Sequence, residues 1–159
     1  DPTDGRNPYC GITTGGEVYC WGWNKYGMIG DGTTTIRLLP TLVSGGIKNW
    51  VSLAGGRYHN CGVTTFGEAY CWGWDSRGQV GDGGISTHTC DLNNPCALEP
   101  VLVSGGIINW TSVSAAPTTT CGLTATGEAY CWGSNDHGQF GIGTFGQGGS
   151  VPVKVGDNW

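Results

Sequence analysis

HNCGVTTFGEAYCWGWDSRGQVGDG, residues 59–83, decides the fold, because the chain carries this stretch three times. Residues 8–32 read PYCGITTGGEVYCWGWNKYGMIGDG, and residues 119–143 read TTCGLTATGEAYCWGSNDHGQFGIG. The three copies align without a gap, and 12 of the 25 positions are identical in all of them. Self-similarity of this kind marks a repeat architecture, in which each copy is one small unit that buries its apolar face against its neighbours.

Each copy predicts a hairpin. In the middle copy, Asn60–Thr64 and Glu68–Gly73 are short β-prone runs around the turn Thr65-Phe66-Gly67. Gly67, like Gly16 and Gly127 in the other copies, falls where a three-residue hairpin needs a left-handed residue. Centring the hairpin on Phe66 sets Cys61 directly opposite Cys71, and the same arithmetic opposes Cys10 to Cys20 and Cys121 to Cys131. Directly opposed residues lie about 4.5–5.5 Å apart at Cα, which overlaps what a disulfide requires. Closing a loop of about ten residues contributes roughly 3 kcal/mol on the chain-entropy account.

The remaining cysteines, Cys90 and Cys96, lie in the one large insertion, Gly84–Leu98, and pair most simply with each other. Zinc is the rival reading of these thiols. No C-x₂-C spacing is present and the recurrent pairs stand ten apart on opposed strands, so disulfides are preferred and no metal is assigned.

Composition agrees with short strands and tight turns. The chain has 31 Gly, 8 Trp and 8 Cys in 159 residues, and few helix formers. Its formal charge is −5, with seven Lys and Arg scattered singly, which argues against nucleic acid as a partner. No apolar run approaches the roughly 20 residues that span a bilayer. No signal peptide is present, so the chain reads as a mature product or an excised piece.

Outward from each hairpin, the Gly-rich turn (Asp75–Gly83 in the middle copy) suits positive φ or close backbone approach. Its G-x-x-G-x-G spacing also fits a phosphate-cradling loop, but no helix follows and no Lys-Ser/Thr pair is present. Beyond it a strand pair is expected: Pro40–Val43, the turn Ser44-Gly45-Gly46, then Ile47–Leu53 with Trp50. It recurs as Pro100–Val113 with Trp110, and as the shorter run Pro152–Trp159. Each repeat of about 50 residues thus offers four short strands, the content of a propeller blade. The blades are expected at roughly 1–50, 51–110 and 111–159, within a single repeat domain.

His59, Cys61, Thr64, Gly67, Tyr70, Cys71, Trp72, Gly73, Asp75, Gly78, Gln79, Gly81 and Gly83, with the P-x-x-V and W-x-x-(V/L) strands, resemble the regulator of chromosome condensation repeat. The resemblance covers the whole chain. It implies all-β architecture in propeller blades, seven being the familiar closed number, and the cysteine-paired form is similar to copies in secreted, mostly bacterial proteins. The founding member acts on a small GTPase and on chromatin. Paired cysteines point instead to an oxidising compartment, secreted, extracellular or at the cell surface.

Three blades are fewer than a closed propeller holds. Trp159 aligns with Trp50 and Asp1 loosely with Ser52, so the ends are in phase for a further blade. Two readings follow: part of a longer array, or identical copies joined head to tail into a ring or filament.

No catalytic constellation is read. His59, His88 and His137 lie in unlike contexts, and Glu17, Glu68 and Glu128 recur in every copy, as structural residues do. Asp31 and Asp82 in G-D-G suit calcium, but Ile142 breaks the series. Trp72 and its equivalents suit packing between blades, whereas Trp23 and Trp74 give way to Ser134 in the third copy and suit contact with a glycan or protein partner. Asn109-Trp110-Thr111 is a glycosylation sequon, or a chance occurrence on a strand. The expectation is a non-enzymatic, cofactor-free extracellular scaffold that assembles with its own kind, or alternatively a recognition module, lectin-like or inhibiting a secreted enzyme.

Overall fold

The structure, a computed structural model, describes residues 7–84, 86, 88–146 and 148–156. Asp1 and the last three residues of the expected Pro152–Trp159 run lie outside that range. In chain order the strands are β1 (Pro8–Ile12), β2 (Val18–Gly22), β3 (Arg37–Leu42), β4 (Trp50–Gly55), β5 (His59–Thr64) and β6 (Ala69–Trp74). There follow β7 (His88–Thr89), β8 (Pro95–Leu102), β9 (Trp110–Ala115), β10 (Thr119–Thr124), β11 (Ala129–Gly133) and β12 (Gly149–Lys154). They form three antiparallel sheets, ordered β1-β2-β3, β4-β5-β6-β8-β7 and β9-β10-β11-β12.

The repeated stretch folds as a hairpin in every sheet. Cys10 opposes Cys20, Cys61 opposes Cys71 and Cys121 opposes Cys131. Gly67 N–H donates to the Thr64 carbonyl at 3.0 Å and holds φ at +75°, where a Cβ is disfavoured. Cα separations of the three pairs are 4.0–4.1 Å, and all are disulfide-bonded. Cys90 and Cys96 form a fourth disulfide, with Cα atoms 5.9 Å apart. The insertion it closes does more than loop out. It supplies β7, a fifth strand on the outer side of the middle sheet, through His88↔Cys96 and Thr89↔Pro95.

The expected pairing of Pro40–Val43 with Ile47–Leu53 does not occur. β3 pairs with β2 in the first sheet (Tyr19↔Leu42), whereas β4 pairs with β5 in the second (Trp50↔Thr64). The glycine pair of the intervening turn carries the chain from one sheet to the next. Its flanking donors are taken by the first sheet: Ser44 N–H by the Gly30 carbonyl, and Asn49 and Trp50 N–H by the Gly16 carbonyl. Trp50 and Trp110 therefore each open a sheet. β4 and β9 lie beside each other on one side of the sheet stack, and β3, β8 and β12 lie on the other. Period-two alternation alone would set Tyr70, Trp72 and Trp74 on one face of β6. A bulge between Cys71 and Gly73, with Gly73 at φ +108°, interrupts strand alternation there.

The core runs between sheets as much as within them. Trp72 and Trp132 are fully buried, and each packs on the opening Trp of its own sheet, Trp50 at 5.8 Å and Trp110 at 5.6 Å. Gly62 and Gly122 leave room for those opening rings, since a Cβ on either would lie 2.6–2.7 Å from the indole. Each junction between sheets closes on one carbonyl. Trp72 Nε1 donates to the Met28 carbonyl at 2.9 Å, joined by Asn60 Nδ2 at 2.7 Å. At the next junction Trp132 Nε1 donates to the Gln79 carbonyl at 3.0 Å, joined by Thr120 Oγ1 at 2.8 Å. Burying these donors without an acceptor would cost about 1–3 kcal/mol each, so the Gly-rich turn serves as the acceptor for the following blade.

Candidate functional site

Where the first sheet meets the second, four aromatic rings converge. Trp23 leaves the end of β2, Tyr26 sits in the following Gly-rich turn, Tyr58 precedes β5, and Trp74 ends β6. Trp23 lies 5.4 Å from Tyr26 and 6.3 Å from Tyr58. Trp74 lies 6.0 Å from Tyr26 and 5.5 Å from Tyr58, and the two tyrosines are 5.5 Å apart. Most contacts are edge-on, the geometry favoured by ring quadrupoles. The Arg57 guanidinium lies 5.0 Å from the Tyr58 centroid and makes no ion pair among the described residues. All five side chains are half-buried, so the group is part core and part surface. Trp74 Nε1 is shielded from solvent and has no hydrogen-bond partner among the described residues.

The structure therefore brings Trp23 and Trp74 into one cluster, bridged by two tyrosines. Tyr26, Tyr58 and Arg57 carry no signal within any one repeat. Projecting the repeat would have pointed to them, since the turn after each hairpin meets the residues just before the next. The second junction lacks the cluster: Arg77, Pro117, Thr118 and Ser134 stand there at the positions of Tyr26, Arg57, Tyr58 and Trp74.

Other candidates are dispersed. His59 is buried between the second and third sheets, its Nε2 2.8 Å from Thr120 Oγ1, and burial lowers its pKa to about 4. His88 and His137 are exposed and distant in sequence from it. Glu17, Glu68 and Glu128 lie at the hairpin turns, where Glu128 pairs with Lys154 at 3.0 Å and Glu68 accepts from Tyr70 at 3.3 Å. Asp31 accepts from Arg37 Nε at 2.5 Å and from Thr33 Oγ1 at 2.8 Å. Asp82, its counterpart, accepts from Gly84 N–H at 2.8 Å and from Ser86. No group of three or more metal-ligating side chains stands together among the described residues. Asn109 is half-buried just before β9, and its carbonyl accepts from Ala125 N–H.

One asymmetry is instructive. Asn24 and Asn135 accept through Oδ1 from the backbone of Ile29 and Phe140, and donate through Nδ2 to carbonyls of the next turn. Asp75 keeps the acceptor role toward Val80 N–H at 2.9 Å but has no proton to donate. Burial, with the Asp82 carboxylate nearby, raises its pKa to about 6.

Three antiparallel sheets stacked through a repeated junction are consecutive blades of a β-propeller. Sequence comparison assigns them: the Regulator of chromosome condensation (RCC1) repeat matches residues 15–63 and 126–158, and a second description of the same repeat matches 50–79 and 110–139. The chain belongs to this family. It is 37% identical over 134 residues to the ultraviolet-B receptor UVR8 of Arabidopsis thaliana, covering 83% of this chain and 28% of that protein. It shares the fold of yeast RCC1 (Prp20) bound to Kap60, with a TM-score of 0.84 at 21% identity, over 98% of this chain and 36% of that one. A second structure, of Prp20p from Saccharomyces cerevisiae, described with its binding properties to Gsp1p and histones, gives 0.80 at 22% identity, over 98% and 37%. The chain thus spans about a third of the length of these relatives.

Proposed function

We propose that this chain is a non-enzymatic, protein-binding part of an RCC1-type propeller, which recognises its partner through Trp23, Tyr26, Tyr58, Trp74 and Arg57. The supporting observation is that, among the described residues, this group occurs at one of the two junctions, half-buried, and its guanidinium makes no ion pair. Trp, Tyr and Arg are the residues that dominate binding energy at protein interfaces. A site used once has a single locus, unlike the features every blade shares. A cation with no ion pair among the described residues favours an acidic protein segment over a neutral glycan. Four disulfides suit a secreted or cell-surface setting. Yeast RCC1 (Prp20) bound to Kap60, and Prp20p with its binding to Gsp1p and histones, support protein binding as the general mode.

Peptide-display selection on the wild-type chain, with counter-selection on Trp23→Ala/Tyr58→Ala, tests this reading. Acidic ligands are expected, weakened about tenfold or more by Arg57→Ala, the scale of one interface hot spot. Ligands indifferent to these substitutions, or a neutral glycan binding as well in the variants as in wild type, would refute it. A second reading, head-to-tail assembly of copies into a scaffold, is favoured by the repeated junction, whose two halves recur at the outer blades.

A further inference from the structure

The chain departs from its own repeat in two places, and the fold sets them side by side. One is the aromatic group of the first junction. The other is the insertion of the middle blade, which supplies β7, a helical turn at Asp91–Asn93 and the start of β8. Trp74 stands opposite Cys96 in the β6–β8 register, so the two side chains share one face of the sheet. Gly73 stands opposite Ala97, and Asp75 N–H donates to the Pro95 carbonyl at 2.9 Å. Residues 95–97 thus hold the strand end that carries Trp74 from both of its sides. The Cys90–Cys96 disulfide ties them to the helical turn, where Asp91 reaches across the junction to Lys25 Nζ at 2.5 Å. Lys25 adjoins Tyr26, the ring that lies between Trp23 and Trp74.

The second junction shows what the blades need simply to stack. At the first, Gly32 N–H donates to the Leu98 carbonyl at 3.0 Å, and at the second Gly83 N–H donates to the Ser150 carbonyl at 2.8 Å. There, however, Ser76 stands at the position of Lys25, and no insertion interrupts the run from Gly143 to Pro152. Stacking proceeds without the insertion, so what the insertion adds is confined to the junction that holds the aromatic group. We propose that the disulfide-closed insertion is the positioning arm of the recognition site. It sets Trp74 on one blade and the Tyr26 turn on the other, and partner binding depends on the Cys90–Cys96 bond and the Lys25–Asp91 pair. This role rests on the aromatic group being the recognition surface proposed above. Each blade offers two of its rings, so an acidic segment that touches all four needs the blades held in one register. β7 meets β8 at only two positions, too short a ladder to fix the turn unaided. The hairpin disulfides differ, since each lies within five register pairs that persist when the bond is opened.

Indole nitrogen-15 spectra of the oxidised 159-residue chain test the arm without any ligand. In Cys90→Ser/Cys96→Ser the Trp23 and Trp74 resonances should move. Those of Trp72 and Trp132, held by the Met28 and Gln79 carbonyls, should stay in place and report an intact stack. An acidic peptide selected on the wild-type chain should bind this variant about tenfold or more weakly, the scale of one misplaced anchor. Asp91→Lys, at an exposed pair, should weaken binding about three- to tenfold, and Lys25→Asp/Asp91→Lys should restore it. If the double serine variant does not fold, the charge reversal and its rescue carry the test. Cys121→Ser/Cys131→Ser, in the third blade, should lower the melting temperature yet leave affinity unchanged, which separates positioning from general stability. Unmoved Trp23 and Trp74 resonances overturn the proposal, as does wild-type affinity in Asp91→Lys or a charge swap that restores nothing. Peptides that bind Trp23→Ala/Tyr58→Ala as well as wild type refute the recognition reading instead, and the ligand-free spectra keep the two failures apart.

Discussion

Asp75→Asn replaces a buried carboxylate with the residue that the first and third blades already use. Asp75 is 6% exposed, and burial lifts its pKa from 3.8 to about 6, with Asp82 adding to the lift and the Val80 N–H opposing it. An acid whose pKa is higher folded than unfolded binds more protons when folded. Its contribution to stability therefore falls as pH rises from about 4 to about 6 and stays low above that. A displacement of roughly two pH units corresponds to about 3 kcal/mol at neutral pH. The asparagine removes that loss and supplies the Nδ2 donor that Asn24 directs at Thr33 and Thr35 and Asn135 at Thr144. Asp75→Asn is expected to gain about 1–3 kcal/mol at pH 7 and little at pH 4. Urea unfolding of both proteins between pH 4 and pH 8 measures it. His59 titrates in the same window with opposite sign, so the quantity to read is the difference between the two profiles. A variant no more stable than wild type at pH 7, with a parallel pH profile, refutes the reasoning.

Three further outcomes follow from the packing. His59, neutral and buried with a pKa of about 4, is lower folded than unfolded, so stability drops as pH falls from about 6.5 to about 4. His59→Gln should flatten that limb, and denaturant midpoints across the range would show it. Gly81→Ala sets a Cβ 2.5 Å from Trp132 Nε1 at φ +77°, and should cost at least about 2 kcal/mol by calorimetry. Gly127→Ala shares the positive φ but meets open space, and should cost only about 1 kcal/mol. Cys61→Ala/Cys71→Ala opens the middle staple and should lose about 3 kcal/mol, read as a lower melting temperature.

Much of the fold was legible because each repeat restates the same local rule. Opposition of Cys61 to Cys71 follows from a three-residue turn with Gly67 at its third position, and the structure holds that register. Strand partnership around Ser44-Gly45-Gly46 was not legible. Two glycines between apolar runs look like a hairpin, whereas the strand after them pairs with a hairpin still to come. Only the stacking of blades decides between the two. The aromatic cluster was half legible. Trp23 and Trp74 stand out against Ser134 in the aligned copies, but Tyr26, Tyr58 and Arg57 sit in turns where no repeat position marks them. Asp75 is a quieter case: the substitution for asparagine is visible in the alignment, but its cost depends on burial and on Asp82 nearby.

Nitrogen-15 labelling of the tryptophan indoles offers the most direct test of the recognition surface. Trp72 and Trp132 N–H groups are held by the Met28 and Gln79 carbonyls and should resist hydrogen exchange, reporting an intact blade stack. Titration with a selected acidic peptide should then shift the Trp23 and Trp74 resonances and leave those of Trp72, Trp132, Trp50 and Trp110 in place. Binding that moves the buried indoles, or leaves Trp23 and Trp74 unmoved, would place the recognition surface elsewhere on the blades.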